Sequence, residues 1–229
     1  MKYKYEMHQH TWPCSHCGHA DPAELVRKLK EQGYDGCVLT DHFYHGNTGV
    51  DRDLPWKEFC RPYEENYLKA KAEGSKLGID ILFGLEEHVG DGKEVLLYGI
   101  TPEFMYLHPE LREWGLEPIF RFTRECGALV IQAHPFRSKD YIAEPDKLLD
   151  SAFLDGYEIF NTANKPEDNE KASKRLAYCG KIFTAGSDCH WNEHPGRAGI
   201  ETDFRITDEK QLAEVLKSGS YRLFGTQQI

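Results

Sequence analysis

The residues able to do chemistry in this 229-residue chain recur at one kind of place, immediately after a short apolar run. His8 and His10 follow the first run, Thr40-Asp41-His42 the second, and Glu86-Glu87-His88 the third. Ala133-His134-Pro135 follows a later run, and Gly186-Ser187-Asp188-Cys189-His190 follows the last large one. A strand has a period of two, so His8 and His10 aim both imidazoles at one face, within reach of one cation. Asp188 and His190 repeat that spacing. Buried imidazoles and carboxylates without partners are costly, and gathering this many makes sense mainly if cations neutralise them. Neutral imidazole with carboxylate oxygen suits zinc, manganese or iron(II).

Such residues meet only if the elements bring them together. Apolar, β-branched runs predict strands at 3–9, 36–40, 79–87, 94–100, 128–133, 156–160, 182–186 and 220–224, and amphipathic segments predict helices at 22–32, 55–77, 109–126, 144–151, 167–179 and 208–217. Asp21 followed by Pro22 caps a helix start and Gly33 closes it, giving one clear β-α-β unit. Repeated units of this kind imply an α/β class with a largely parallel sheet, and 229 residues suit one barrel domain spanning 1–229. In a parallel barrel the C-terminal strand ends share one mouth, where distant residues converge. The Gly-rich stretch from Gly46 to Asp53 is the expected mobile loop, and Gly90 to Gly92 reads as a hairpin turn.

A net charge of −10 argues against duplex nucleic acid as the main partner, because the molecule would repel a polyphosphate backbone. The start MKYKYEMHQH lacks the apolar segment of a signal peptide and no apolar stretch could span a bilayer, so a cytoplasmic protein with no membrane partner is expected. The seven cysteines then read as reduced thiols. Cys14-Ser15-His16-Cys17 could be half of a zinc finger or a redox pair, but no second Cys-x-x-Cys completes a finger, and the helix starts too late for the redox motif. Cys189 is read as a small buried spacer.

His8-Gln9-His10-Thr11, Ser15-His16, Thr40-Asp41-His42, Gly84-Leu85-Glu86, Ala133-His134-Pro135 and Gly186-Ser187-Asp188-Cys189-His190 resemble, in order, the motifs of the PHP (polymerase and histidinol phosphatase) family. The similarity spans roughly residues 6 to 200, and the ordered set is far more specific than any one motif. The resemblance implies a distorted (β/α)7 barrel of TIM-like form holding two or three divalent metal ions, usually engaged in phosphate ester hydrolysis. By matching positions, His8, His10, Glu86 and Asp188 would hold one metal. Glu86 would bridge to a second that also takes His134, while His16, His42 and His190 would hold a third, with Asp41 orienting a ligand behind them. One departure stands out: the strand after Glu86 usually carries another histidine, where this chain has Val95. His88, Glu94 or His108 could replace it, His88 best because it shares a strand face with Glu86, whereas Glu87 faces the other way.

The function expected from these residues is a phosphomonoesterase acting on a small phosphorylated metabolite, as a histidinol phosphatase does. A metal-bound hydroxide would attack phosphorus, since a bound cation can lower the pKa of water from 15.7 to roughly 7. Glu86, Asp188 and His190 would be central to catalysis, and Arg137 and Arg197 could clamp the phosphate. Asn161 could donate to substrate or cap a helix. Alternatives are a phosphodiesterase or exonuclease on short oligonucleotides, for which basic residues near the motifs are sparse, and a non-catalytic metal-binding module. Hydrolysis of a carbon-nitrogen or lactone bond by the same cluster stays open, as do substrate, metal identity and oligomeric state.

Overall fold

The computed structural model describes residues 2–192 and 196–225. The elements run β1 (Tyr3–Gln9), α1 (Pro22–Glu31), β2 (Gly36–Leu39), α2 (Trp56–Leu77), β3 (Asp80–Gly90), β4 (Lys93–Tyr98), α3 (Pro102–Leu107), α4 (Leu116–Glu125), β5 (Leu129–Gln132), β6 (Gly156–Asn161), α5 (Pro166–Leu176), β7 (Ile182–Gly186), β8 (Gly199–Thr202), α6 (Glu209–Ser218) and β9 (Arg222–Phe224). Asp21 caps α1 by accepting from the Ala23 and Glu24 amides.

The nine strands among the described residues form one sheet in the order β7-β6-β5-β4-β3-β2-β1-β8-β9. Main-chain bonds nearly close it into a barrel, because the Asp188 amide donates to the His8 carbonyl at 2.8 Å and the His10 amide to Cys189 at 3.2 Å. Gly186 makes this seam tight enough to form, since a Cβ there would lie 2.5 Å from that of His8. The sheet is less parallel than expected. β4 runs antiparallel to both neighbours, joined to β3 through the expected Gly90–Gly92 turn, and β8 and β9 add an antiparallel flap beyond β1.

Alternation along the strands divides the core. Cys37, Leu39, Ile81, Phe83, Leu85, Val95 and Leu97 pack outward with Leu25, Val26 and Leu29 of α1 and Phe59, Tyr63 and Ala70 of α2. Val38, Leu82, Leu96, Tyr98, Leu129 and Ile131 point inward with Tyr5 and Met7, and Leu212, Ala213 and Leu216 of α6 join them. α6 closes the bottom of the barrel, where Gly99 lets it approach: a Cβ on Gly99 would sit 2.8 Å from Ala213 Cβ.

Three stretches differ from expectation. The predicted helix 109–126 is a 3-10 turn over Pro109–Glu113 and then α4, separated by Trp114 and by Gly115, a poor helix interior residue. Residues 144–151 are not helical; the Leu149 amide instead donates to the Gln132 side chain, and a 3-10 turn begins only at Ser151. The loop after Gly46 is pinned, with the Arg52 guanidinium donating to the Tyr44 and Gly46 carbonyls. No helix among the described residues is long and apolar enough to cross a membrane.

Candidate metal centre at the barrel mouth

One irregularity in β1 sets the direction of its histidines. Pairing with β2 slips by a residue between Glu6 and Gln9, leaving the Met7 and His8 amides without a partner strand. The Glu6 carboxylate accepts both at 3.0 Å, and the Ser187 amide at 2.8 Å. Burial pushes Glu6 up to about 7 against those hydrogen bonds. Beyond this bulge, His8 and His10 both project into the mouth.

Their ring orientations follow from what holds the far nitrogens. His8 Nδ1 lies 2.9 Å from Glu158 Oε1, whose other oxygen accepts from the His134 amide at 3.0 Å and from Asn161 at 2.9 Å. Asn161 therefore supports Glu158 and also accepts from the Ala163 amide as a cap. His10 Nδ1 lies 3.0 Å from Ser15 Oγ, which gives its own proton to Asp41 at 2.8 Å and so accepts from the ring. Asp41 also binds the Thr11 amide and hydroxyl and stands behind the site, raised to about 6 by burial. With both Nδ1 atoms donating, the two Nε2 atoms face each other at 3.1 Å. Two lone pairs at that distance repel unless a proton or a cation lies between them.

The remaining groups converge on the same space. Glu86 Oε1 is 3.2 Å from His8 Nε2 and 3.1 Å from His134 Nε2, while Oε2 is 3.4 Å from His10 Nε2 and 2.8 Å from His42 Nδ1. The carboxylate thus offers each oxygen to a different pair of imidazoles, the disposition of a bridge. Asp188 Oδ1 is 3.1 Å from His10 Nε2, and Oδ2 pairs with Arg137. Four groups of three donors could each hold an ion: His10-His42-His190, His8-His10-Asp188, His8-Glu86-His134 and His42-Glu86-Glu94. His42 Nδ1 and Glu86 Oε2 are buried and make no hydrogen bond despite their proximity, so divalent cations fit the donor set.

Electrostatics agree. Burial opposes charge on His8, but Glu158, Glu86 and Asp188 outweigh it and hold its pKa well above the usual value. Burial with His190 and His42 nearby drives His10 well below. Asp188 and Glu86 are held well below the usual carboxylate range against burial, Asp188 by Arg137 and His8, Glu86 by His8 and His42. Burial and the Glu86 charge lift Glu94 to about 8. His134 and Asp188 both adopt positive φ, 29° and 54°, a strained conformation kept where it serves to aim a side chain.

Some named residues are placed otherwise. His16 is exposed, its amide bound to Asn47, while Cys17 is half-buried and lines the cleft with His42 and His190. Burial would raise the Cys17 thiol, yet the nearby His190 and His42 imidazoles bring it down to about 6. Cys14 points away into the core, so the two thiols of Cys-x-x-Cys diverge. Cys189 is half-buried and donates to the Trp191 carbonyl. Val95 faces the outer core, and its neighbour Glu94 reaches the site instead, 3.4 Å from His134 Nε2 and 3.6 Å from His42 Nδ1. His88 lines the cleft but accepts from the Gly92 amide, and His108 packs beside Phe104 and Trp114. Glu87 turns outward to accept the His45 and His88 amides. Arg137 is buried at the site, whereas Arg197 is exposed and lines a separate cleft with Phe160 and Asn164. Glu158, Glu6, Glu94 and Cys17 belong to the site without lying at motif positions. Glu94 is among the residues expected to replace the histidine absent at Val95, whereas Glu6 and Glu158 lie inside β1 and β6, where no local pattern marks them.

Over this centre opens a cleft of about 820 Å³ lined by Cys17, His19, Arg137, Lys139, Tyr141 and Trp191 along with the metal donors.

A barrel with this mouth defines a metal-dependent hydrolase. The PHP domain model matches residues 6–178 and a PHP-associated model residues 166–221, and the chain belongs to the PHP family, whose members are metal-dependent phosphoesterases. No curated protein matches in sequence. Solved structures show the fold at low identity. A two-domain protein from Bacteroides vulgatus containing a predicted PHP-like metal-dependent phosphoesterase is 15% identical with TM-score 0.65, covering 98% of this chain and 65% of that one. An amidohydrolase from Chromobacterium violaceum with bound sulfate is 15% identical with TM-score 0.63, covering 98% and 99%. A lesion-specific endonuclease from Pyrococcus furiosus is 14% identical with TM-score 0.64, covering 97% and 58%. The chain thus spans less than two thirds of the first and last of these.

Proposed function

We propose that the chain is a phosphomonoesterase acting on a small phosphorylated metabolite at the barrel mouth, with His8, His10, His42, Glu86, Glu94, His134, Asp188 and His190 as the metal-holding set. The observation that carries the reading is Arg137. Its guanidinium is buried beside the metal donors, held by Asn164 at 2.8 Å and by Asp188, and Lys139 lines the same cleft. Bound divalent ions supply an activated water and neutralise phosphate charge. The chain's own groups do the rest. Arg137, held through Nε by Asn164 and through Nη2 by Asp188, would give its remaining N–H groups to phosphate oxygens in the cleft. Asp188, whose negative charge Arg137 balances, stays ionised for a cation. The cleft volume suits one small ligand. A terminal phosphate carries close to two negative charges near neutral pH against one for a diester, so this cationic pocket favours the monoester.

A diesterase is the second reading, favoured by one feature. Trp191 is half-exposed at the rim and stacks on His19 with ring centres 3.9 Å apart, a platform on which a base could lie. Comparing kcat/KM for matched mono- and diesters separates the two. The monoester should be preferred, and Arg137→Ala should reduce its kcat/KM by roughly 10²–10³-fold, as removal of one charge-stabilising donor does. A wild-type preference for diesters, or indifference to the arginine change, contradicts the proposal.

A further inference from the structure

Resting on the phosphomonoesterase reading through Arg137, we infer that Asn169, in the first turn of α5, is a positioning residue: it turns the Asn164 amide so that the oxygen, rather than the nitrogen, faces the Arg137 guanidinium. The hydrogen bonds leave no choice of orientation. Asn169 is buried and bonds both backbone groups of one residue, its Oδ1 accepting from the Asn161 amide at 3.0 Å and its Nδ2 donating to the Asn161 carbonyl at 2.9 Å. Reversed, the side chain would set donor against donor and acceptor against acceptor. Its oxygen also accepts from Asn164 Nδ2 at 3.1 Å, which leaves Asn164 Oδ1 to accept from Arg137 Nε at 2.8 Å. A guanidinium only donates, so the opposite orientation of Asn164 would repel it.

The same helix grips the chain on both sides of Arg137. Asp168 Oδ2 accepts from the Ser138 amide at 3.0 Å and hydroxyl at 3.1 Å, and the Arg175 guanidinium lies over the Phe136 ring, 4.9 Å from its centre. The flanking residues are thus fastened to α5, and Asn169 acts on the side chain between them. Asp188 holds the guanidinium through Nη2, but it is also a candidate metal donor and shares its charge. One hydrogen bond leaves a planar fork free to pivot. The second, from Asn164, fixes its plane and so the direction of the N–H groups left for phosphate.

Kinetics of the full, metal-loaded chain with para-nitrophenyl phosphate test this. Asn169→Leu removes the acceptor from a side chain of similar shape and should lower kcat/KM roughly 10–100-fold, less than Arg137→Ala does, with metal content kept. In an Arg137→Ala background the same change should cost less than about twofold, because no guanidinium is left to orient. Adding Asn164→Asp to Asn169→Leu should restore most of the loss, since a carboxylate shows Arg137 an oxygen whichever way it turns. A residue that merely braced α5 against β6 would be neither masked by the first change nor rescued by the second. If Asn169→Leu does not fold, Asn164→Leu cuts the same link without touching the Asn161 backbone and must show the same loss. With Arg137→Ala costly, three results overturn the inference and leave the reading above standing: an undiminished effect in the Arg137→Ala background, no rescue, or a loss of metal that would route the effect through Asn161 and Glu158 instead. A neutral Arg137→Ala overturns both.

Discussion

The two ends of the barrel interior are built on opposite principles. At the bottom, Met7, Val38, Leu82, Leu96, Leu129 and Ile131 meet Leu212, Ala213 and Leu216 of α6, and the contact is satisfied by burial alone. At the top, on the same strands one or two turns of the pleat further on, His8, His10, Glu86, His134 and Asp188 are as fully excluded from solvent but crowd polar groups together, and Glu86 Oε2 and the neighbouring His42 Nδ1 find no hydrogen-bond partner. The comparison teaches that this fold separates stability from function along the barrel axis. The lower half supplies the free energy that keeps the upper half in a geometry it would not adopt alone.

Substitutions at the two ends should therefore fail in different ways. Leu82→Ala removes a fully buried side chain from the lower half and should destabilise the protein by about 2–5 kcal/mol, with or without metal, while kcat/KM of the folded fraction is kept. Thermal melts paired with kinetics below the transition would check this; a loss of kcat/KM without a shift in melting would erase the distinction. In the upper half, Glu158→Gln should weaken metal binding roughly 10–100-fold, because the carboxylate fixes the His8 ring. Titration with a competing chelator reads that constant. A smaller effect is expected from pH. Glu94 is lifted to about 8, so below that value it holds a proton that a metal bound with His134 must displace. Affinity at this position should rise with pH and level off near 8, and Glu94→Gln should flatten that part of the profile. A profile unchanged in the variant would remove Glu94 from the site.

What could be read from the sequence follows the same division. His8 and His10, Glu86, His134 and Asp188 were legible because a strand's alternation and its C-terminal end define direction and place without tertiary detail. The β-α units were legible from periodicity. The β1 bulge was not, since it depends on Glu6 reaching amides of its own strand and the Ser187 amide across the seam. The Gly90–Gly92 turn implies the reversal of β4, and Glu94 stands among the residues that could replace the missing histidine, but that Glu94 rather than His88 reaches the site depends on the register of β4 between β3 and β5. The inward turn at Cys17 rather than His16 rests on a hydrogen bond between residues 19 and 190, a pairing no local pattern announces. The short β8 strand, Gly-Ile-Glu-Thr, has too little alternation to be recognised, and it exists because β1 offers it an edge.

The central claim is that the crowded upper half is a cluster of cation sites bridged by Glu86. The most direct test is elemental analysis of the full chain, purified without chelator and loaded in turn with zinc, manganese and iron(II), alongside Glu86→Gln and Glu87→Gln. Glu86 lies between two pairs of imidazoles, whereas Glu87 faces outward to two backbone amides. The account predicts at least two equivalents in the wild type, the same in Glu87→Gln, and a clear deficit in a folded Glu86→Gln. Metal content near zero with every ion, or a deficit in Glu87→Gln with Glu86→Gln unaffected, would contradict it.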